Sequence, residues 1–302
     1  DKAHKELQRI CTANIKNEIG KCTYTHMLNP DGGIETDLTV VCLDQNHFRI
    51  ISSAATRERD KFHINKHLYK DIKLKDVTDD YCVFGLFGPK SRNLIKAISK
   101  DKFDNDNFKF GTAKYITIDG VKIWAQRLSY VGELGYELYV DINDAKKIYE
   151  LLIEKGKDFN LSNCGMHAMD IMRMESGFLH WGHDISPEEN QYQAGLSFTI
   201  SNKKEVDFIG KQALEKIKKE KIKSRFAMFT LKDSKPGEPL LLHDEPIYLE
   251  NNIIGRSTSG NYSFNFKKNL AFGYINNDIS NDELHKKDLF IEVEKKKYPI
   301  EI

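Results

Sequence analysis

The hydrophobic and polar positions alternate with period two through much of the chain. In Gly33-Ile-Glu-Thr-Asp-Leu-Thr-Val40 the residues Ile34, Thr36, Leu38 and Val40 share one face, and Glu35, Asp37 and Thr39 share the other. Strands are expected over 22–28 and 34–42, joined by Asn29-Pro-Asp-Gly-Gly33, which has strong turn chemistry. Further strands are expected over 48–54, 81–87, 114–118, 121–128 and 135–140. Helical spacing appears over 1–15, 56–67, 90–99 and 144–156, and again over 164–177, where Met166, Ile171, Met174 and Phe178 recur. Asp207-Phe-Ile-Gly-Lys-Gln-Ala-Leu214 reads as a turn into another helix, and the basic run 216–223 as a solvated helix end or linker. Beyond it the pattern is all strand: 225–231, 245–249, 252–257, 269–275 and 288–293. The reading is an α+β fold with split β-α-β units over 1–220, followed by a small antiparallel barrel over 221–302.

Length and charge narrow the options. A chain of 302 residues can bury a large core in two or more domains. With 30% charged and 40% apolar residues and a net charge of +1, no overall field draws it to nucleic acid or to an anionic membrane. No apolar run is long enough to span a bilayer, and no signal peptide is seen. The five cysteines are scattered without a Cys-x-x-Cys, which argues for reduced thiols in a cytosol-like compartment. The opening helix begins without a capping signal, so residues upstream are expected.

Familiar cofactor motifs are absent: there is no Gly-x-Gly-x-x-Gly after a strand, no phosphate-binding loop and no Gly-x-Ser-x-Gly elbow. His63 and His67 stand four apart on a helix, a spacing that can ligate a metal, but no third ligand can be placed. His180-Trp-Gly-His183 is a second pair, equally explained by a packed Trp with polar flanks. Neither is read as a metal site.

Arg127-Leu-Ser-Tyr-Val-Gly-Glu-Leu-Gly-Tyr-Glu-Leu138 carries more chemistry. An aromatic (Tyr130) and a carboxylate (Glu137) flank a turn bearing Gly132 and Gly135. Such a turn can stack a flat heterocycle and accept paired N–H donors from a guanidine-like edge. It is also compatible with a plain tight turn between two strands. Asp37 has two readings as well. On a solvent face it is one carboxylate among many. On a face lining a cavity it is held on a rigid strand, as proton transfer or cation stabilisation requires.

Five separated segments together resemble one family. Tyr24-Thr-His-Met-Leu-Asn-Pro-Asp-Gly-Gly-Ile-Glu-Thr-Asp-Leu-Thr-Val40 is similar to the hairpin of folate-dependent aminomethyltransferases, the T-protein of glycine cleavage. Gly88-Pro-Lys-Ser, Ser129-Tyr-Val-Gly-Glu-Leu-Gly-Tyr-Glu-Leu138, Asp207-Phe-Ile-Gly-Lys-Gln-Ala-Leu214 and Gly255-Arg-Ser-Thr-Ser-Gly-Asn-Tyr-Ser263 resemble further motifs of that superfamily, in order. Within it, Met172-Arg-Met-Glu-Ser-Gly-Phe-Leu-His-Trp-Gly-His-Asp-Ile185 looks most like the C-terminal half of dimethylglycine and sarcosine dehydrogenases, as do 261–264 and 268–274.

The resemblance implies interlocked split β-α-β (ferredoxin-like) layers and a C-terminal barrel around a central folate cavity. It also implies that the T-protein-like portion lacks its first stretch. By the same resemblance Asp37 is the catalytic aspartate near the reacting nitrogens. Glu137 binds the pterin edge, and Tyr24, Ser53 and Tyr130 surround the folate. The implied reaction moves a one-carbon unit from an iminium derived from an N-methyl amine onto tetrahydrofolate, giving 5,10-methylenetetrahydrofolate. The implied partner is a flavin dehydrogenase domain or subunit, since no flavin site is read in this chain. Two alternatives stay open: a T-protein acting on an aminomethyl-lipoyl carrier, and a non-catalytic folate-binding module. The chain departs from T-proteins at Thr36, where they carry a first aspartate of a pair, and at Met169, where they carry an arginine.

Overall fold

The computed structural model describes residues 2–302. The chain divides into two compact units. One comprises the chain up to Gln8 with 14–24 and 38–166; the other comprises 9–13, 25–37 and 167–302.

The chain starts with helix α1 (Lys2–Ile10), followed by strands β1 (Cys22–Leu28), β2 (Ile34–Asp44) and β3 (His47–Ser52), which form a sheet in that order. The turn before β2 forms as the sequence predicts: Asn29 N–H donates to Gly33 O, and the Asn29 side chain accepts from the Asp31 and Gly33 amides. α1 is shorter than expected. It ends at Ile10 because the next amides are taken elsewhere: Thr12 N–H donates to His26 O at 2.9 Å, and Ala13 N–H to Thr25 Oγ1 at 3.0 Å.

The rest of the first unit is helix α2 (Arg57–His67), strand β4 (Tyr81–Phe87), helix α3 (Ser91–Ile98), strands β5 (Ala113–Ile118), β6 (Val121–Gln126) and β7 (Gly135–Asp141), and helix α4 (Ala145–Gly156). The four strands form an antiparallel sheet in the order β4-β7-β6-β5. One face buries Ile116, Ile123, Ala125 and Leu138 against Leu94 and Ile95 of α3 and Ile148 and Leu152 of α4. Burying that many aliphatic side chains, at roughly 25 cal/mol per Å² of apolar surface, is the main stabilisation of this layer. The opposite face sets Ala113, Trp124 and Tyr139 against Val41, with Cys22, Ile51 and Tyr81 at the margin. The pairing puts Trp124 opposite Tyr139 and Gln126 opposite Glu137. By the two-residue alternation all four side chains therefore stand on that second face.

In the second unit, helix α5 (Met166–Glu175) sets Ile171 and Met174 against Leu270 and Phe272. Helix α6 (Lys211–Lys219) follows, with three lysines in its last turn. The remaining strands are β8 (Ser224–Leu231), β9 (Pro246–Leu249), β10 (Asn252–Ser263), β11 (Lys268–Asn276), β12 (Leu289–Val293) and β13 (Lys296–Glu301), with a short helix α7 (Asn281–Lys286) before β12. They close a barrel in the order β10-β11-β8-β13-β12-β9 around Phe229, Leu231, Ile247, Ile291 and Ile300. The α+β class and the C-terminal barrel are as the sequence predicts.

Two barrel strands depart from expectation. β13 has no counterpart in the sequence reading: of Lys296–Glu301 only Ile300 is buried, and its turn, Glu294-Lys295, takes positive φ (50° and 65°) without glycine. β10 runs six residues further than expected, because Gly260, past the expected end, marks close approach rather than a turn. A Cβ at Gly255 would lie 1.9 Å from Tyr274 O, and one at Gly260 2.3 Å from Leu241 Cβ.

Candidate functional site

Asp37 sits in β2, where burial alternates as the sequence pattern does. Ile34, Thr36, Leu38 and Val40 are buried, and Glu35, Asp37 and Thr39 are half-buried. The second face is therefore neither core nor open surface. The Asp37 side chain is 18% exposed, and its Oδ1 is buried with no hydrogen bond. His26 of β1, fully buried, brings Nε2 to 3.4 Å from that oxygen. This is an ion-pair distance in which no hydrogen bond has formed. The other ring nitrogen, Nδ1, is 3.1 Å from Thr199 Oγ1 and 3.3 Å from Gln191 Nε2. All four residues belong to the second unit.

Glu137 belongs to the first unit, on the sheet face that carries Trp124, Gln126 and Tyr139. It is half-buried and accepts a hydrogen bond from Tyr139 Oη at 3.1 Å. Burial pushes its carboxyl up, and the Tyr139 hydrogen bond partly offsets this. Burial and the neighbouring carboxylate in turn push the Tyr139 phenol well above its ordinary range. The Arg49 guanidinium lies over the rings of Tyr81 (4.7 Å) and Tyr139 (5.2 Å). Three buried donors on or beside this face, Trp124 Nε1, Gln126 Nε2 and Arg49 Nη1, have no hydrogen-bond partner. Cys22 Sγ approaches Gln126 Oε1 at 3.9 Å, and its thiol is pushed up to about 12, by burial first and by Glu137 second.

The other expected site residues are also in the first unit. Tyr24 is 40% exposed, two residues after Cys22 and so on the same side of β1. Tyr130 is half-buried in the loop between β6 and β7, where Ser129 Oγ accepts from Val131 N–H and Gly132 takes φ 72°. Ser53 caps a single 3-10 turn ahead of α2: its Oγ accepts from Ala55 N–H at 3.3 Å. Its hydroxyl already has this structural use.

His26, Gln126 and Trp124 were not singled out from the sequence. The alternation in β6 gives the last two the same face, which is the signal that could have found them. His26 had only its place in the hairpin motif.

The histidine pairs have local explanations. His63 and His67 stack edge to face at 4.8 Å, and burial, with nearby cationic groups, pushes His63 down to about 4. His180 and His183 lie 4.7 Å apart. Among the described residues no group of three or more His, Cys, Asp or Glu is placed to hold a metal ion, and no helix is long and apolar enough to cross a membrane. The five cysteines are unpaired.

The chain thus has two α+β units and ends in a closed six-stranded barrel. The chain matches the model of the GCVT N-terminal domain over residues 1–204 and that of the glycine cleavage T-protein C-terminal barrel domain over 225–302, and so belongs to the glycine cleavage T-protein family. It is 33% identical to human mitochondrial dimethylglycine dehydrogenase over 87% of this chain and 30% of that protein. It is 32% identical to an aminomethyltransferase of Halothermothrix orenii over 91% of this chain and 76% of that one. Human mitochondrial sarcosine dehydrogenase is 30% identical over 90% of this chain and 31% of its own length. The chain thus spans about a third of the two dehydrogenases. In fold it superposes on the aminomethyltransferase T of the Bartonella henselae glycine cleavage system with a TM-score of 0.84 at 21% identity, covering 100% of this chain and 80% of that one.

Proposed function

We propose that the chain carries out tetrahydrofolate-dependent one-carbon transfer, accepting a CH2 unit from an iminium derived from an N-methyl amine. Asp37 is the residue at the reacting nitrogens, and Glu137 reads the pterin edge. The observation that carries this reading is Asp37, a carboxylate on a rigid strand with one oxygen buried and without a hydrogen bond.

The residues suit the ligand. Glu137 accepts from Tyr139 and keeps lone pairs for two more donors, as a guanidine-like edge requires. Asp37, half-buried, can stabilise a developing positive charge and take up a proton, work worth roughly 100- to 10,000-fold in rate. When bound, the folate supplies the nucleophilic nitrogens that receive the carbon. Burial around Asp37 limits access of water, which would otherwise divert the carbon to free formaldehyde.

Similarity to dehydrogenases of which the chain spans about a third supports a flavin domain or subunit as the source of the iminium. The similarity to the Halothermothrix orenii aminomethyltransferase supports a second reading, in which the donor is an aminomethyl-lipoyl carrier. Purified chain with tetrahydrofolate, supplied in turn with an iminium formed from formaldehyde and a secondary amine and with an aminomethyl-lipoyl carrier, separates the two. No saturable tetrahydrofolate binding to folded chain overturns both. Unchanged turnover in Asp37→Asn with intact folate affinity removes the assigned role of Asp37.

A further inference from the structure

Gln126 is the last residue of β6 and is fully buried, yet half of its amide is unused. Its Oε1 lies 3.9 Å from Cys22 Sγ, a thiol that burial keeps protonated and able to donate. Its Nε2, buried as well, has no hydrogen-bond partner. Buried side-chain donors are almost always partnered, because a hydrogen bond left unmade in the interior is destabilising. An apolar residue at this place in the sheet would avoid that penalty. The bare amide therefore calls for a reason beyond packing.

The strand register supplies one. Gln126 pairs directly with Glu137 across β6 and β7. Directly paired residues on one face have Cβ atoms about 4.5–5.5 Å apart. Trp124, opposite Tyr139, is only a diagonal neighbour of Glu137. The Arg49 guanidinium is stacked over Tyr81 and Tyr139 instead. Of the three unpartnered donors, Gln126 Nε2 is thus the one carried by the residue paired with Glu137. A carboxylate and an amide N–H2 side by side present an acceptor next to a donor. A pterin edge has the matching order: N2–H and N3–H donate, and the C4 oxygen beside them accepts. Glu137 alone satisfies the two N–H groups and leaves that oxygen bare in a desolvated place.

We propose that Gln126 donates from Nε2 to the C4 oxygen of the pterin, and so is the residue that selects a 4-oxo over a 4-amino ring. This rests on the reading of Glu137 proposed above. A 4-amino ring lacks N3–H, and it turns the acceptor at C4 into a donor that meets the Gln126 N–H2 head on. Gln126 binds and orients; no bond is made or broken through it.

The test is a binding titration of the full chain with tetrahydrofolate and with 4-amino-4-deoxytetrahydrofolate, at alkaline pH where the diamino ring is uncharged. The unaltered chain should hold the 4-oxo ligand the tighter. Gln126→Met and Gln126→Leu are both made, so that a packing fault in one does not decide the outcome. Each should weaken tetrahydrofolate binding about 10-fold, what one hydrogen bond is worth, and leave the 4-amino ligand no weaker. Their melting temperatures without ligand should not fall, since the donor removed has no partner in the free protein. With ¹⁵N-labelled glutamine, the side-chain N–H2 signal that vanishes in Gln126→Met should move when tetrahydrofolate is added to the unaltered chain. A ratio of the two affinities that is the same in the unaltered chain and both variants overturns the role of Gln126 and leaves that of Glu137 standing. So does a ratio lost in Arg49→Met but kept in Gln126→Met, or an ¹⁵N signal indifferent to saturating tetrahydrofolate. No saturable binding of tetrahydrofolate to the unaltered chain removes the reading of Glu137, and the role of Gln126 with it.

Discussion

Asp37 and Asp184 are both carboxylates of the second unit, and they differ in how many donors reach them. Asp184 is fully buried. It accepts from Arg173 Nη1 (2.6 Å), Thr258 Oγ1 (2.6 Å), Ser259 Oγ (2.8 Å) and the backbone N–H of His180 (2.9 Å). Its acceptor capacity is used up, and Arg173, itself buried, is further held by Asp170 at 2.9 Å. Asp37 has an imidazole at 3.4 Å and an inner oxygen without a hydrogen bond. The first carboxylate can only hold the fold. The second keeps unsatisfied acceptor capacity, as chemistry at a ligand demands. Glu137 stands between them, with one donor and a carboxyl pushed up by burial.

The sharpest way to break this contrast is through Asp37. Asp37→Asn should lower kcat by roughly 100- to 10,000-fold with little change in the melting temperature, as steady-state assay and calorimetry would show. Arg173→Met should do the reverse. It leaves Asp184 charged and buried without its partner, so urea unfolding should report a loss of about 3–5 kcal/mol. Glu137→Gln comes next: titration should show tetrahydrofolate binding weakened by about 1.5–3 kcal/mol, the range for a hydrogen bond to a charged group, with kcat nearly retained.

Tyr139→Phe should have the smallest effect. The Tyr139 hydroxyl holds the Glu137 carboxyl down against burial. Without it the acid limb of folate binding should move to higher pH. The sign for stability follows from linkage. A carboxyl raised by burial binds its proton more tightly folded than unfolded, so stability is greatest below its unfolded pKa and declines as pH rises through the raised value. Glu137→Gln should remove that part of the decline, and Tyr139→Phe should extend it upward.

Much of this was legible in the sequence where local chemistry decides it. Asn29-Pro-Asp-Gly-Gly33 announced the hairpin, and the alternation in β2 put Asp37 on the face opposite the core residues, as burial shows. Two of the misreadings share a cause: a signal defined locally was settled by a distant partner. Gly260 looks like a turn residue, but it is small because Leu241 crowds it. The 1–15 helix pattern continued past Ile10, yet His26 O and Thr25 Oγ1 claim the next amides. His26 could not be singled out because the groups that orient it, Thr199 and Gln191, lie 173 and 165 positions away.

The six residues of β13 reach in two directions: Ile300 pairs with Leu231 of β8, and Phe290 to Val293 of β12 pair with Lys296 to Pro299. A chain cut after Lys295 would therefore lose one strand and bare two rows of peptide groups, one on each side of the gap. Both edges would be open to pairing with another molecule, so such a shortened chain should self-associate, and the lysines at 296 and 297 that discourage such pairing would be gone with the strand.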